Sequence, residues 1–224
     1  MIRGMKRCVV LVLVCIPLLA AGPAATRPVS PLLGRAYRML DGLKATTYQH
    51  VTDIDEATGE YYCDCSGLVS YLLRKEMPEQ YRAVPTLKPF RHPRAVEYYE
   101  AFRAAAAEPK AGDRWQRVDR LADARAGDVV AWRKAEIKET GTTGHIVLFD
   151  SAPKAVGENL FEVVVIDSTS KPHKDDTRAG EVTGVGRGTI YLKTDAAGRA
   201  VAFATRSAEG PFTVYAMAIG RPVP

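Results

Sequence analysis

A change of period divides the chain and limits what it can fold into. From residue 128 onward, apolar residues come in β-branched or alternating runs: DVVAW (128–132), HIVLFD (145–150), FEVVVID (161–167), GTIYLKT (188–194), AVAFATR (200–206) and FTVYAMAI (212–219). Runs of this length and composition predict strands, and DAAGR from Asp195 predicts a hairpin between two of them. Before residue 128 the spacing is helical. SPLLGRAYRMLDGL predicts a helix with Ser30 as its cap and Pro31 in its first turn, presenting Leu32, Leu33, Ala36, Tyr37 and Leu40 as a stripe. A second helix is expected over residues 65–75, with Leu68, Val69, Leu72 and Leu73 on one face, and a third from Pro93. Residues 44–60 read as a polar loop, and residues 78–92, with three prolines, as an irregular excursion. Helices first and strands later predict an α+β fold in which the helices pack on one antiparallel sheet.

The first 25 residues read as a secretory signal. Arg3, Lys6 and Arg7 precede an almost wholly apolar stretch at 8–21, and PAA at 23–25 offers small residues for cleavage after Ala24 or Ala25. The apolar run is short for a membrane span. Cys15 does not suggest a lipid anchor, because Val14 stands where a small residue would be needed. Residues 26–224 are expected to form one exported domain, periplasmic or extracellular, monomeric and without an integral membrane segment. Its charge, +5 with a pI near 9.0, is spread along the chain without a Lys/Arg block. That argues against nucleic acid as a partner and suits an anionic polymer such as a cell wall.

Loss of the signal removes Cys8 and Cys15 and leaves Cys63 and Cys65 in YYCDCSGLVSYLL. An oxidising compartment favours disulfides, but a bridge between residues i and i+2 strains the geometry the bond requires. Two free thiols in an exported chain call for a reason. Cys65 would open the second helix, and a helix N-terminus lowers a thiol pKa. Gly67 would let another segment approach closely. A nucleophilic thiolate needs a base, and a histidine base needs an orienting group. His145 begins one predicted strand and Asp167 ends the next, so antiparallel pairing of the two would bring these residues together.

Other readings compete. A buried cysteine can be a small hydrophobe, which is the expectation for Cys63. Asp167 could cap a turn, and Asp128 is expected to be structural. His50 and His173 read as loop histidines, although His50 lies close before the cysteine. Cys63, Cys65, His145 and His173 could supply four zinc ligands, but Cys-x-Cys departs from the usual ligand spacing. No metal or cofactor is expected.

DCSGLV (64–69), ARAGDVVAW (124–132), TGHIVLF (143–149) and VVVIDS (163–168) together resemble the landmarks of the NlpC family, papain-like bacterial cell-wall cysteine peptidases. The resemblance covers roughly residues 44–195. It implies a papain-like NlpC-type fold, with Cys65 as nucleophile, His145 as base and Asp167 as orienting residue, where the family commonly has His, Asn or Gln. It also implies substrate contacts from Tyr48, Asp64 and Ser66, and peptidoglycan or peptide as substrate. In place of the Gly-Gly that usually follows the tyrosine, residues 49–60 form a longer acidic stretch. Residues 78–117 are longer than a minimal member needs and could form one wall of a cleft. The activity implied is hydrolysis of peptide or amide bonds. A non-catalytic cell-wall-binding module on the same fold and a Cys–His acyl or amide transferase are the alternatives.

Overall fold

The computed structural model of the chain describes residue 1 and residues 30–86, 92–138 and 141–224. The expected signal segment, with Cys8 and Cys15, lies outside the described residues apart from Met1. Among the described residues there are four α-helices: α1 (Pro31–Gly42), α2 (Cys65–Glu76), α3 (Pro78–Arg82) and α4 (Ala95–Ala104). A small sheet is made by β1 (Ala45–Thr47), β2 (Asp53–Asp55) and β3 (Glu60–Tyr62) in the order β1-β3-β2. The large sheet has nine strands: β4 (Trp115–Val118), β5 (Val129–Arg133), β6 (Gly144–Phe149), β7 (Lys154–Gly157), β8 (Leu160–Thr169), β9 (Gly184–Thr194), β10 (Ala200–Ala204), β11 (Thr213–Val214) and β12 (Ala216–Pro222). Its order is β11-β10-β9-β8-β6-β5-β12-β4, with β7 paired to β8, and every pair is antiparallel. The fold is therefore α+β with a mostly antiparallel sheet. Among the described residues, no helix is long and apolar enough to cross a membrane.

The apolar runs are continuous because the central strands are buried on both faces. Val129, Ala131, Ile146, Leu148 and Ile166 pack under α1, α2 and α4 with Leu32, Leu68, Leu72 and Phe102. The alternate residues Val130, Trp132, Val147, Phe149, Val163 and Val165 form a second core with Ile190, Leu192 and Ile219. The sheet curls until β10 approaches β12, and this closes over the second core.

Four expectations are corrected. Residues 44–60 are not a plain loop but carry the small sheet. Asp55 Oδ1 accepts from the N–H groups of Ala57 (2.8 Å) and Thr58 (3.3 Å), and Gly59 at φ 77° completes the turn between β2 and β3. Three-residue strands are too short to show a period. The run 212–219 is two strands, parted at Tyr215, because β11 pairs with β10 while β12 crosses to β5 and β4. Ser30 precedes α1 but makes no side-chain cap bond; the first turn is closed instead by Gly34 N–H donating to the Ser30 carbonyl at 2.9 Å. The excursion at 78–92 holds the short helix α3, and residues 87–91 lie outside the described residues.

Candidate active site

Cys65 is the first residue of α2, and its neighbours build the helix start around it. Asp64 is the N-cap: its Oδ1 accepts from Gly67 N–H at 2.7 Å and from Ser66 Oγ at 2.9 Å. A second ring of contacts holds the same carboxylate, with His50 Nδ1 3.2 Å from Oδ2 and His92 Nε2 3.5 Å from Oδ1. Burial opposes ionisation of Asp64, but His92, the Gly67 N–H and His50 together bring it down to about 2. The sign is the usual one for a depressed carboxyl. Its stabilisation is present above the unfolded value near 4 and is lost as pH falls from there towards 2, an amount of about 2 kcal/mol. Asp64→Asn keeps a good cap without the charge. Its urea midpoint should lie below that of the wild type at pH 7 and converge on it by pH 2; a gap of constant size across that range would refute the assignment.

Gly67 is required by packing, not by conformation. A Cβ there would sit 2.3 Å from Thr52 Oγ1 and 3.3 Å from both Asp64 Oδ1 and Cys63 Cβ. Gly67→Ala should therefore lower stability by about 1–3 kcal/mol. Adding Thr52→Ala, which removes the nearest atom, should restore most of the loss in thermal melts. A single variant as stable as wild type would show that the segments part freely.

The two thiols differ. Cys63 is fully buried, and burial pushes its thiol up to about 12. Its carbonyl accepts from Ser168 Oγ at 2.6 Å. It is a packed residue beside the site. Cys65 is 4% exposed and lies at the wall of a cavity of about 820 Å³, shared with Tyr48, His50, Asp64, His92 and Arg94. Tyr48 follows β1, and its N–H donates to Thr183 Oγ1 at 3.1 Å. Burial, the Cys65 charge beside it and that of Asp64 push its phenol up. Tyr48, Asp64 and Ser66 thus all line the cavity with Cys65. The polar atoms of Asp64 and Ser66 are already bonded to each other and to the helix start.

His145 lies on β6 with its ring 5.1 Å from that of Trp132, its partner across the β5–β6 ladder. Strands β6 and β8 are antiparallel neighbours, with Leu148 opposite Ile166 and Phe149 opposite Val165. Continued, this register sets Asp167 opposite Val147, so His145 and Asp167 are diagonal neighbours on one face. His145 Nε2 is 2.7 Å from Asp167 Oδ2, which leaves Nδ1 as the nitrogen available to the thiol. Burial opposes the charged imidazole, but the Cys65 charge and the bond to Asp167 raise it to about 10. Cys65 is near enough to act on the charges of both His145 and Tyr48. Asp167 is inside β8 and fully buried, so it caps no turn.

The surroundings of Asp167 are richer than the sequence suggested. His173 Nε2 is 2.9 Å from the same Oδ2, and Arg178 Nη1 and Nη2 each donate to Oδ1 at 3.1 Å. Burial opposes the charge, and His173, His145 and Arg178 overcome it, holding the carboxyl well below the usual range. His173 is a loop residue, as expected, but a buried one. His92 and Arg178 had not been singled out. For Arg178 the available signal was GVGRG at 184–188, three glycines at strand spacing on β9, two of which, Gly186 and Gly188, face the Arg178 and His173 segment. Among the described residues, no group of three or more His, Cys, Asp or Glu side chains is arranged to hold a metal ion.

Compared with protein-family models, curated proteins and solved structures, the chain matches none.

Proposed function

We propose that the chain is an exported cysteine hydrolase that cleaves peptide or amide bonds, and that its substrate is the stem peptide of peptidoglycan. One observation carries the reading. A thiol opens a helix beside an imidazole whose far nitrogen is bonded to a buried carboxylate. This is the nucleophile, base and orienting group that acyl transfer needs. The choice of peptidoglycan rests on the resemblance of the four motifs to the NlpC family and on the positive net charge, which suits an anionic wall.

The chemistry follows from the positions. His145 Nδ1 takes the Cys65 proton, and Sγ attacks the carbonyl carbon. The oxyanion is met by the backbone N–H of Cys65 at the positive end of α2. As the C–N bond breaks, His145 returns the proton to the leaving amine. Water then attacks the thioester, with His145 as base, and releases the acid and the thiol. Asp167 holds the imidazole in place throughout. The protein acts in this scheme as a monomer, with its own side chains alone. The test is incubation of the mature protein with purified peptidoglycan and mass measurement of what is released. Peptide fragments with new amino and carboxyl ends are expected; intact wall after prolonged incubation would refute the substrate.

A further inference from the structure

We propose that His173 is a positioning residue for the site, acting on His145 through the carboxylate they share. The inference rests on the reading of Cys65 and His145 as nucleophile and base. Two imidazoles meet one oxygen of Asp167, at 2.7 and 2.9 Å, while Arg178 takes the other oxygen with both terminal nitrogens. The carboxylate therefore has no spare direction in which to turn. Its Oδ2 is shared by the two rings, so removal of the His173 contact frees the carboxylate to move relative to His145.

The segment bearing these groups is built as a latch. Asp176 Oδ2 accepts from the His173 backbone N–H at 2.6 Å, and Asp176 also takes Arg178 Nε at 2.7 Å and Nη2 at 2.8 Å. The Arg178 side chain is 1% exposed and the His173 side chain 3%. Strand β9 makes room for it. Gly186 is opposite Asp167 and Gly188 opposite Val165, so the two share a face. A Cβ on Gly186 would fall 2.5 Å from Arg178 Nε, and one on Gly188 2.8 Å from His173 Cβ. Two missing side chains on one strand face admit this segment over the carboxylate. His173 Nδ1 is buried and has no hydrogen-bond partner among the described residues. An unpartnered buried nitrogen is a cost, so what the imidazole contributes here comes through its other nitrogen, at Asp167.

The probe is iodoacetamide, with the rate of Cys65 alkylation at pH 6 as readout, so no substrate is needed. His173→Asn and His173→Leu both withdraw the donor, the first by being too short and the second by being apolar, so a folding failure of either leaves the other to be read. Each should slow Cys65 labelling about tenfold, by the general scale of outer groups that orient a reacting residue. His173→Gln, whose amide nitrogen reaches the place of Nε2, should stay within about twofold of wild type. In an Asp167→Ala background, His173→Leu should change nothing further, because the carboxylate that carries its effect is gone. Wild-type rates in both withdrawing variants, a Gln variant as slow as Leu, or an undiminished effect in the Asp167→Ala background would each overturn the proposal. Wild-type protein whose Cys65 resists labelling would instead refute the nucleophile assignment and take the proposal with it.

Discussion

Cys65→Ala should suppress release of peptide fragments from peptidoglycan by at least about a thousandfold, the scale on which removal of a nucleophile acts, while Cys63→Ala leaves the rate within a few-fold of wild type. The two residues are neighbours in sequence and opposites in setting. Cys63 is sealed in the core and raised to about 12, where almost no thiolate exists at neutral pH. Cys65 stands at a helix start, on a cavity wall, beside an imidazole. Limited alkylation at pH 6 followed by peptide mapping should mark Cys65 first. Preferential marking of Cys63, or a Cys65→Ala protein that still releases fragments, would end the case for a thiol hydrolase. The non-catalytic wall-binding alternative predicts a different pattern: wall sedimentation unaltered by Cys65→Ala, and no fragments from either protein.

Asp167→Ala should cost at least about tenfold in turnover, the lower range for acid–base contributions. It should also lower stability by about 3–5 kcal/mol, because a buried Arg178 and two imidazoles lose the anion they face. Asp167→Asn separates the two losses. An amide oxygen can accept one imidazole N–H, and on that ground the change would be mild. The site, however, directs four donor atoms at this carboxylate: His145 and His173 at Oδ2, and both terminal nitrogens of Arg178 at Oδ1. The amide NH₂ must face two of these donors, either the two imidazoles or the two Arg178 nitrogens. Asn should therefore lose turnover nearly as Ala does while melting between Ala and wild type. Turnover is read on the released fragments, with thermal melts in parallel. Full turnover in either variant would place the orienting group elsewhere.

The strands that carry the site were legible in the sequence because burial on both faces wrote them as unbroken apolar runs. HIVLF and FEVVVID could hardly be anything else, and their chain order alone made antiparallel neighbours plausible. The helix at Cys65 was legible for a similar reason, with a cap residue, a glycine and a helical stripe in succession. Other features left no such trace. Strands β1 to β3 have three residues each and are held by a turn around Asp55, with no apolar period to detect. The roles of His173 and Arg178 were hidden because both lie in a connection whose composition, KPHKDDTR, is that of an exposed loop. What buries them is a pair of glycines on another strand, and that relation exists only once β9 lies beside β8. Likewise, the approach of His92, just ahead of α4, to Asp64 is a tertiary contact with no local sequence pattern to announce it.

The bond from Ser168 Oγ to the Cys63 carbonyl has a consequence in time. It joins the strand of the orienting carboxylate to the loop that presents the nucleophile, across 105 positions of the chain. Every group that acts on Cys65 from the sheet arrives from beyond residue 144. On the proposed assignment, a growing or still extended polypeptide therefore carries Cys65 without its base and orienting group, whatever the start of α2 already contributes. Under that assignment the full set of reacting groups is assembled only by completion of the fold, after the chain has been synthesised.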